Sequence, residues 1–265
     1  MVTAPPARRA TYEEASPRDS FIVGVLREGI RQALRSHAAS PCGGALALDV
    51  GCGSQPFRND LEGLGYCYVG LDTEQNSEGT VDHIGPIDGV LPASLCDGPV
   101  FDLVLCTEVL EHVSDWPSAF HNLAVLLAPG GTLIITCPFF YPLHEQPIDY
   151  WRPTAHAMRL FGSAVGLTVV SANQAGDPWD VLGTLLGHTG IVAVRRHFAD
   201  RVLARCSRLA KSVVFSLLLR RVLQPRLKLV GDLYLSNIFV FQQPGNAAEE
   251  VINASESRWP HSSGA

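Results

Sequence analysis

The stretch "ALALDVGCGSQPFRND", Ala45 to Asp60, holds a short apolar run, an acid and two near-adjacent glycines. An apolar run of this length, ended by Gly-Cys-Gly and followed by a helical stretch around Phe57 to Leu64, reads as a buried strand feeding a helix. Gly51 and Gly53 lack a Cβ, so the chain can turn tightly with positive φ and a ligand can come close to the backbone. A plain strand-to-helix turn would accept the same glycines, so the distinction falls to the acids. Asp49 precedes the turn, and Asp72 ends the next apolar run, "YVGLDTE", nineteen residues beyond Gly53. An acid there can accept hydrogen bonds from ribose hydroxyls, which points to a nucleoside-bearing ligand. A dinucleotide fits less well. The third glycine of G-x-G-x-x-G is missing and Pro56 stands in its place, so a pyrophosphate on the helix N-terminus is not the expected use.

Outward from this turn, apolar strand-like runs alternate with helical stretches. The strands read "ALALDV", "YCYVGL", "VDHI", "FDLVLC", "GTLIITC", "LTVVSA" and, near the C-terminus, "SNIFVFQQ". Continuous apolar strands separated by helices indicate a doubly wound, mostly parallel α/β sheet of seven strands, covered on both faces. Ahead of the first strand, apolar residues at Phe21, Ile22, Val25, Leu26, Ile30 and Leu34 predict an amphipathic helix with Ser20 as its N-cap. Residues 1–20 and 244–265 read as mobile ends, leaving a single domain over 21–243. Within it lies a helical insertion before the last strand, from about Asp177 to Asp232, long for a connection. Half of the chain's twenty Lys and Arg fall in that insertion, between Arg195 and Lys228.

Composition bounds the partners. The chain has 265 residues, 46% hydrophobic and 17% charged, with a formal charge of -6, so nothing attracts nucleic acid in general. Seven cysteines, odd in number and never spaced C-x-x-C, suggest neither a disulfide framework nor a zinc site, and a reduced cytoplasm is expected. The N-terminus shows no apolar signal region and no run is long enough to span a bilayer.

At this point the residues resemble the class I S-adenosylmethionine-dependent methyltransferases. "LDVGCGSQP" is similar to their first motif, "VGLD" to their acid-ended second strand, "FDLVLCTEVLEHV" to their fourth strand with its following helix, and "LLAPGGTLIITCPF" to their fifth. The run "PFFYPLHEQPIDYWRPT" resembles a stretch in a subset acting on small metabolites or glycans. The resemblance implies a Rossmann-like methyltransferase fold with S-adenosylmethionine as cofactor. It implies that Asp49, Gly51, Cys52 and Gly53 meet the amino-acid part, that Asp72 with Thr73 holds the ribose, and that Pro86 and Ile87 lie along the adenine. Many members carry an acid where Pro86 aligns, and this chain departs there. Cys106, Thr107 and Glu108 would border the methionine portion, with Tyr141, Tyr150 and Arg152 toward the acceptor.

Methyl transfer to an oxygen or nitrogen needs in-line positioning and a route for one proton, and a histidine suits the second task. His144, in the loop after the fifth strand with Glu145, Asp149, Tyr150 and Arg152 nearby, is the candidate general base. A folded lid in which Asp149 pairs with Arg152 reads the same residues equally well. His112, four residues after Glu108, reads first as a brace for the motif helix. His83, His121 and His188 lack partners at ligand spacing, so no metal is expected.

The expected activity is O-methylation of a small metabolite or a sugar. Two alternatives stay open: a non-catalytic scaffold that binds the cofactor, and a nicotinamide-dependent oxidoreductase. For the basic insertion, between 195 and 228, three readings stay open. They are a solvated helical cap, a surface for anionic lipid or a lipid-linked substrate at the membrane periphery, and a partner-binding face.

Overall fold

The computed structural model of the protein describes residues 12–14, 16–38, 43–96, 100–195 and 197–245. Seven strands, β1 (Leu46–Val50), β2 (Cys67–Asp72), β3 (His83–Ile84), β4 (Phe101–Thr107), β5 (Leu127–Pro138), β6 (Thr168–Ala175) and β7 (Ser236–Gln242), form one sheet. Their order is β3-β2-β1-β4-β5-β7-β6. β1 to β5 are parallel, while β7 inserts antiparallel between β5 and β6. This is the doubly wound, mostly parallel sheet that the alternating runs predict.

Both faces of the sheet are covered, which is why the strands read as unbroken apolar runs. Side chains alternate across the sheet. Leu103 and Leu105 of β4 join one core with α1 (Val23–His37) and α2 (Arg58–Gly63), whereas Val104 and Cys106 join the other. That second core packs α4 (Trp116–Val125) and α5 (Ala155–Ala164), with Leu95 of α3 (Ala93–Cys96) at its margin. α1 buries Leu26, Ile30 and Leu34 on one face, and each such side chain contributes roughly 1.5–3 kcal/mol.

Local chemistry sets several boundaries. Asp115 caps α4 by accepting from Ser118 N, and Thr154 caps α5 by accepting from Ala157 N. Ser20 does not cap α1. It lies in a 3₁₀ turn, Asp19–Phe21, that runs straight into the helix, and its hydroxyl donates to Glu14 instead. The expected tail boundary at residue 20 is therefore misplaced. Phe21 and Asp19 are buried, Asp19 accepts from Ser16 Oγ, and Tyr12 packs edge-on against Phe57 at 4.8 Å. Residues 1–11 of that tail, and 246–265 of the C-terminal one, lie outside the described residues.

Between β6 and β7 run α6 (Pro178–His188) and α7 (Phe198–Leu219). A capping box between Asp177 and Asp180 starts α6. α7 docks by a narrow stripe ending at Leu218, while apolar side chains such as Leu203 and Leu209, 66% and 68% exposed, face outward among arginines. No helix among the described residues is long and apolar enough to cross a membrane.

One buried side chain ties the sheet to the loop that follows β5. Asn237, on β7, donates through Nδ2 to Cys137 O (3.2 Å) and Pro153 O (3.0 Å), and its Oδ1 accepts from the Tyr234 hydroxyl (2.9 Å). Asn237→Ala would strand these partners without water. Its urea midpoint should correspond to a loss of about 2–4 kcal/mol with an unchanged slope, and a variant as stable as the parent would remove Asn237 from this role.

Candidate active site

The parallel strands end along one edge, and the loops leaving them enclose a cavity of about 640 Å³. Its first wall is the turn after β1. Gly51 and Gly53 both have positive φ, 68° and 49°, as the sequence requires of them. Gly51 N and Cys52 N donate to Leu71 O, and Gly53 N donates to Asp72 Oδ2 at 2.9 Å, so the turn is stitched to the end of β2. Asp72 Oδ1 accepts from Thr73 N, and Asn76 Nδ2 donates to Gly53 O. Asp49, Gly51, Cys52, Gly53, Asp72 and Thr73 all line the cavity. Cys52 does so as a neutral thiol: burial, then the nearby Asp49 and Asp72, push its pKa up to about 12.

The loops after β3 and β4 supply the next walls. Pro86 and Ile87 line the cavity, and so does Asp88, whose Oδ2 accepts from Asp115 N and Ser114 Oγ. An acid is therefore present, two residues after Pro86. Thr107 and Glu108 line the cavity as well, and Glu108 takes a left-handed conformation with φ 52°. Its N–H donates to Thr136 O and Oγ1, and its Oε1 accepts from Ser236 Oγ at 2.7 Å. β4 stops at Thr107, so Glu108 and His112 do not share a helical face. A 3₁₀ turn, Leu110–His112, connects them instead.

Three expected site residues fall elsewhere. Cys106 has no exposed surface, because strand alternation turns its side chain into the α4 layer. Arg152 does not reach the cavity wall: its guanidinium is consumed by Asp149, at 2.6 and 2.8 Å, and by the carbonyls of Tyr141 and Pro142. Tyr150 is half exposed outside the cavity, with its N–H on Glu111 O. Tyr141 and His144 do line it, with Glu145, Ile148 and His112. Sequence reasoning also missed Tyr12, which lines the cavity from the N-terminal segment. Burial, then Glu108, pushes its phenol pKa up, opposed by a hydrogen bond with Thr107.

The electrostatics select the ligand. Asp49, Asp72, Glu74, Asp88, Glu108 and Glu145 line the cavity, and among the described residues no lysine or arginine does. Such a wall attracts a ligand bearing positive charge and repels a pyrophosphate. Asp49 is buried beneath the turn. Burial raises its pKa to about 7, with the Tyr68 hydroxyl opposing (2.9 Å) and Asp72 adding to the rise. At the far end, burial and then Glu108 hold the Glu111 carboxyl well above the usual range. His144 is held below its ordinary value, first by burial, with Asp149 opposing.

A family model described as a methyltransferase domain matches residues 27–170. A ubiquinone biosynthesis O-methyltransferase from Caulobacter sp. (strain K31) is 35% identical over 105 residues, 36% of this chain and 42% of that protein. The mitochondrial ubiquinone biosynthesis O-methyltransferase of Bos taurus is 29% identical over 141 residues, 48% of this chain and 38% of its own. The matches thus span about two fifths of these relatives' lengths. A SAM-dependent methyltransferase from Archaeoglobus fulgidus, known as a crystal structure, shares the fold. Its TM-score is 0.50 at 14% identity, covering 82% of this chain and 94% of that one.

Asp49 gives a pH-dependent expectation. Its folded pKa lies above the unfolded value of 3.8, so its contribution to stability is present below pH 4 and is lost as pH rises toward 7. Asp49→Asn keeps the Tyr68 contact without the charge. It should melt higher than the parent at pH 8, by an equivalent on the order of 1–3 kcal/mol, and like the parent near pH 4. A gap that does not change with pH would show that Asp49 is not the titrating group.

Proposed function

The chain belongs to the methyltransferase domain family, and from that footing we propose that it transfers a methyl group from S-adenosylmethionine to an oxygen of a small metabolite or sugar. The observation that carries this reading is the acid-walled cavity at the strand ends. It runs from the glycine turn and Asp72 to His112 and His144, and no lysine or arginine lies among the described lining residues. A sulfonium and an ammonium fit such a wall, whereas a nicotinamide dinucleotide would bring a pyrophosphate against it.

Each wall has a task in this reading. Asp72 accepts from ribose hydroxyls, with its carboxylate already oriented by Gly53 N and Thr73 N. The open Gly53 Cα lets the amino-acid part approach, since a Cβ there would meet nothing within 4 Å. Asp49 and Glu108 offset the positive charge, and Ile87 and Pro86 offer an apolar surface to the adenine. When bound, S-adenosylmethionine supplies a methyl carbon whose bond to sulfur breaks as the bond to the acceptor oxygen forms. The protein supplies position, and positioning is worth several kcal/mol. Tyr141, His144, Glu145 and Ile148 surround the acceptor end. His144 is neutral at pH 7 because burial lowers its pKa, so its free nitrogen can take the acceptor's proton.

The names of the curated relatives support oxygen as the nucleophile, and the "HEQPIDYWR" loop supports a small-metabolite or glycan acceptor. A cofactor-binding scaffold without turnover is the second reading, since a fold persists when its chemistry is lost. α7 bears on acceptor delivery. Its outward Leu203, Leu209 and Val213, set among Arg201, Arg205, Arg208 and Lys211, support a lipid-linked acceptor met at an anionic membrane surface.

Calorimetric titration with S-adenosylmethionine, S-adenosylhomocysteine and NAD tests the reading. The first two should bind, with affinity reduced roughly tenfold or more by Asp72→Ala. Binding of NAD alone would overturn it. Given an acceptor, His144→Ala should lower turnover by about 10²–10⁴ with cofactor affinity retained. Binding without turnover on any acceptor would favour the scaffold.

A further inference from the structure

At the end of the cavity away from the glycine turn, a buried carboxyl and two imidazoles face one another with no hydrogen bond between them. The Glu111 carboxyl has no exposed surface, and its Oε1 has no hydrogen-bond partner. His112 Nε2 and His144 Nε2 each lie 3.8 Å from that oxygen, too far for a hydrogen bond. The ligating atoms of all three residues lie within 4.8 Å of one another.

The tautomers follow from the opposite side of each ring. His112 Nδ1 lies 2.7 Å from Ile148 O, which can only accept, so Nδ1 carries the hydrogen and Nε2 the lone pair. His144 Nδ1 faces Asp149 Oδ2 at 3.3 Å and Pro142 O at 3.4 Å. Arg152 Nη2 also lies 3.4 Å away, but its hydrogens have nearer acceptors in Asp149 Oδ2 and Pro142 O. Nδ1 of His144 therefore donates as well, and its Nε2 lone pair points to Glu111. Two imidazole lone pairs and a buried carboxyl oxygen converging on one point cost free energy unless a proton or a cation sits between them.

We propose that Glu111, His112 and His144 form a divalent-cation site opening on the cavity. A tetrahedral cation holds such donors about 3.4 Å apart, so the two 3.8 Å separations from Glu111 close by a few tenths of an ångström, and the two imidazoles, within 4.8 Å of each other, draw together to match. Glu145 Oε2, 3.8 Å from His112 Nε2, is within reach as a fourth ligand. The outer contacts have the form that orients metal-bound histidines: a carbonyl on one Nδ1–H, and on the other a carboxylate fixed by Arg152. Two imidazoles and a carboxylate suit Zn²⁺, Mn²⁺, Fe²⁺ or Co²⁺ better than Ca²⁺. This reverses the sequence expectation of no metal.

The site's use rests on the methyl-transfer reading. With Glu145 off the cation, the fourth position opens on the cavity, takes the acceptor hydroxyl and lowers its pKa, and the hydroxyl proton leaves to solvent. With the cation bound, His112 and His144 are ligands, and His144 no longer serves as the proton acceptor.

Metal-free full-length protein titrated with Zn²⁺ by calorimetry, and with Co²⁺ by visible absorption, tests the site. One equivalent should bind. His112→Ala and His144→Ala should each weaken binding by at least the roughly 10–100-fold that loss of an outer-shell partner costs. His144 is a partly exposed side chain, and His144→Gln gives a second version should the alanine variant melt early. No saturable one-to-one binding by the parent, or equal affinity in folded variants of both histidines, would overturn the proposal. Titrating the same samples with S-adenosylmethionine separates the two readings. Cation binding alone would leave the metal site standing and remove the cofactor, and cofactor binding alone would do the reverse.

Discussion

The closeness of the loop after β1 to the loop after β4 is the constraint from which the site takes its shape. The two strands are paired up to Val50 and Cys106. Just beyond, a Cβ on Gly51 would overlap the Val109 side chain, so no other residue fits there with that φ. Both chains then break in the same sense: Gly51 and Gly53 turn left-handed on one side, and Glu108 on the other. For the glycines that conformation is free of steric cost, whereas for Glu108 it costs on the order of 1–2 kcal/mol. Hydrogen bonds to Thr136 and Ser236 hold Glu108 there. The crevice opens because neighbouring strands diverge at one level, as open parallel sheets do at the carboxyl ends of their strands.

Around that crevice the protein concentrates negative charge and then buries part of it. Exposed acids such as Glu74 contribute field with little desolvation cost, but Asp49 and Glu111 lie under the surface, where ionisation is opposed. Each is left with modest support: a tyrosine hydroxyl for Asp49, and for Glu111 a thiol at 3.9 Å with a backbone N–H. Interiors keep such groups only where a ligand or a partner ion repays the burial. Arg152 favours the Glu111 carboxylate through space, yet its hydrogen bonds all fold the loop.

What could be read in advance follows the range of the forces involved. The strands, the glycine turn and Asp72 depend on local pattern and backbone conformation, and their roles were legible in Ala45–Asp72. Cys106 was misread although its face is local information: it shares parity with Val104, and both sit in the α4 core. Asp88 was overlooked because the acid was sought at Pro86, two residues before it. Of the two readings of Arg152, toward the acceptor or paired with Asp149 in a folded lid, the structure has the second, with further bonds to carbonyls of the same loop. Tyr12 and the meeting of His112 with His144 could not be read at all. Each needs segments distant in sequence to be packed first, and no spacing records that.

The position of β7 matters beyond packing. Among the described residues, β6 is hydrogen-bonded into the sheet through β7, which lies between it and β5. On the ribosome, β5 and β6 emerge well before Ser236, and until then β5 keeps an open edge and β6 has no partner. Long-range pairing of this kind is slow, and open edges invite association between chains. Glu108 likewise waits for Ser236. The crevice thus acquires its final form at the end of synthesis, and a nascent chain stalled inside α7 would carry most of the sheet while lacking the strand that locks it.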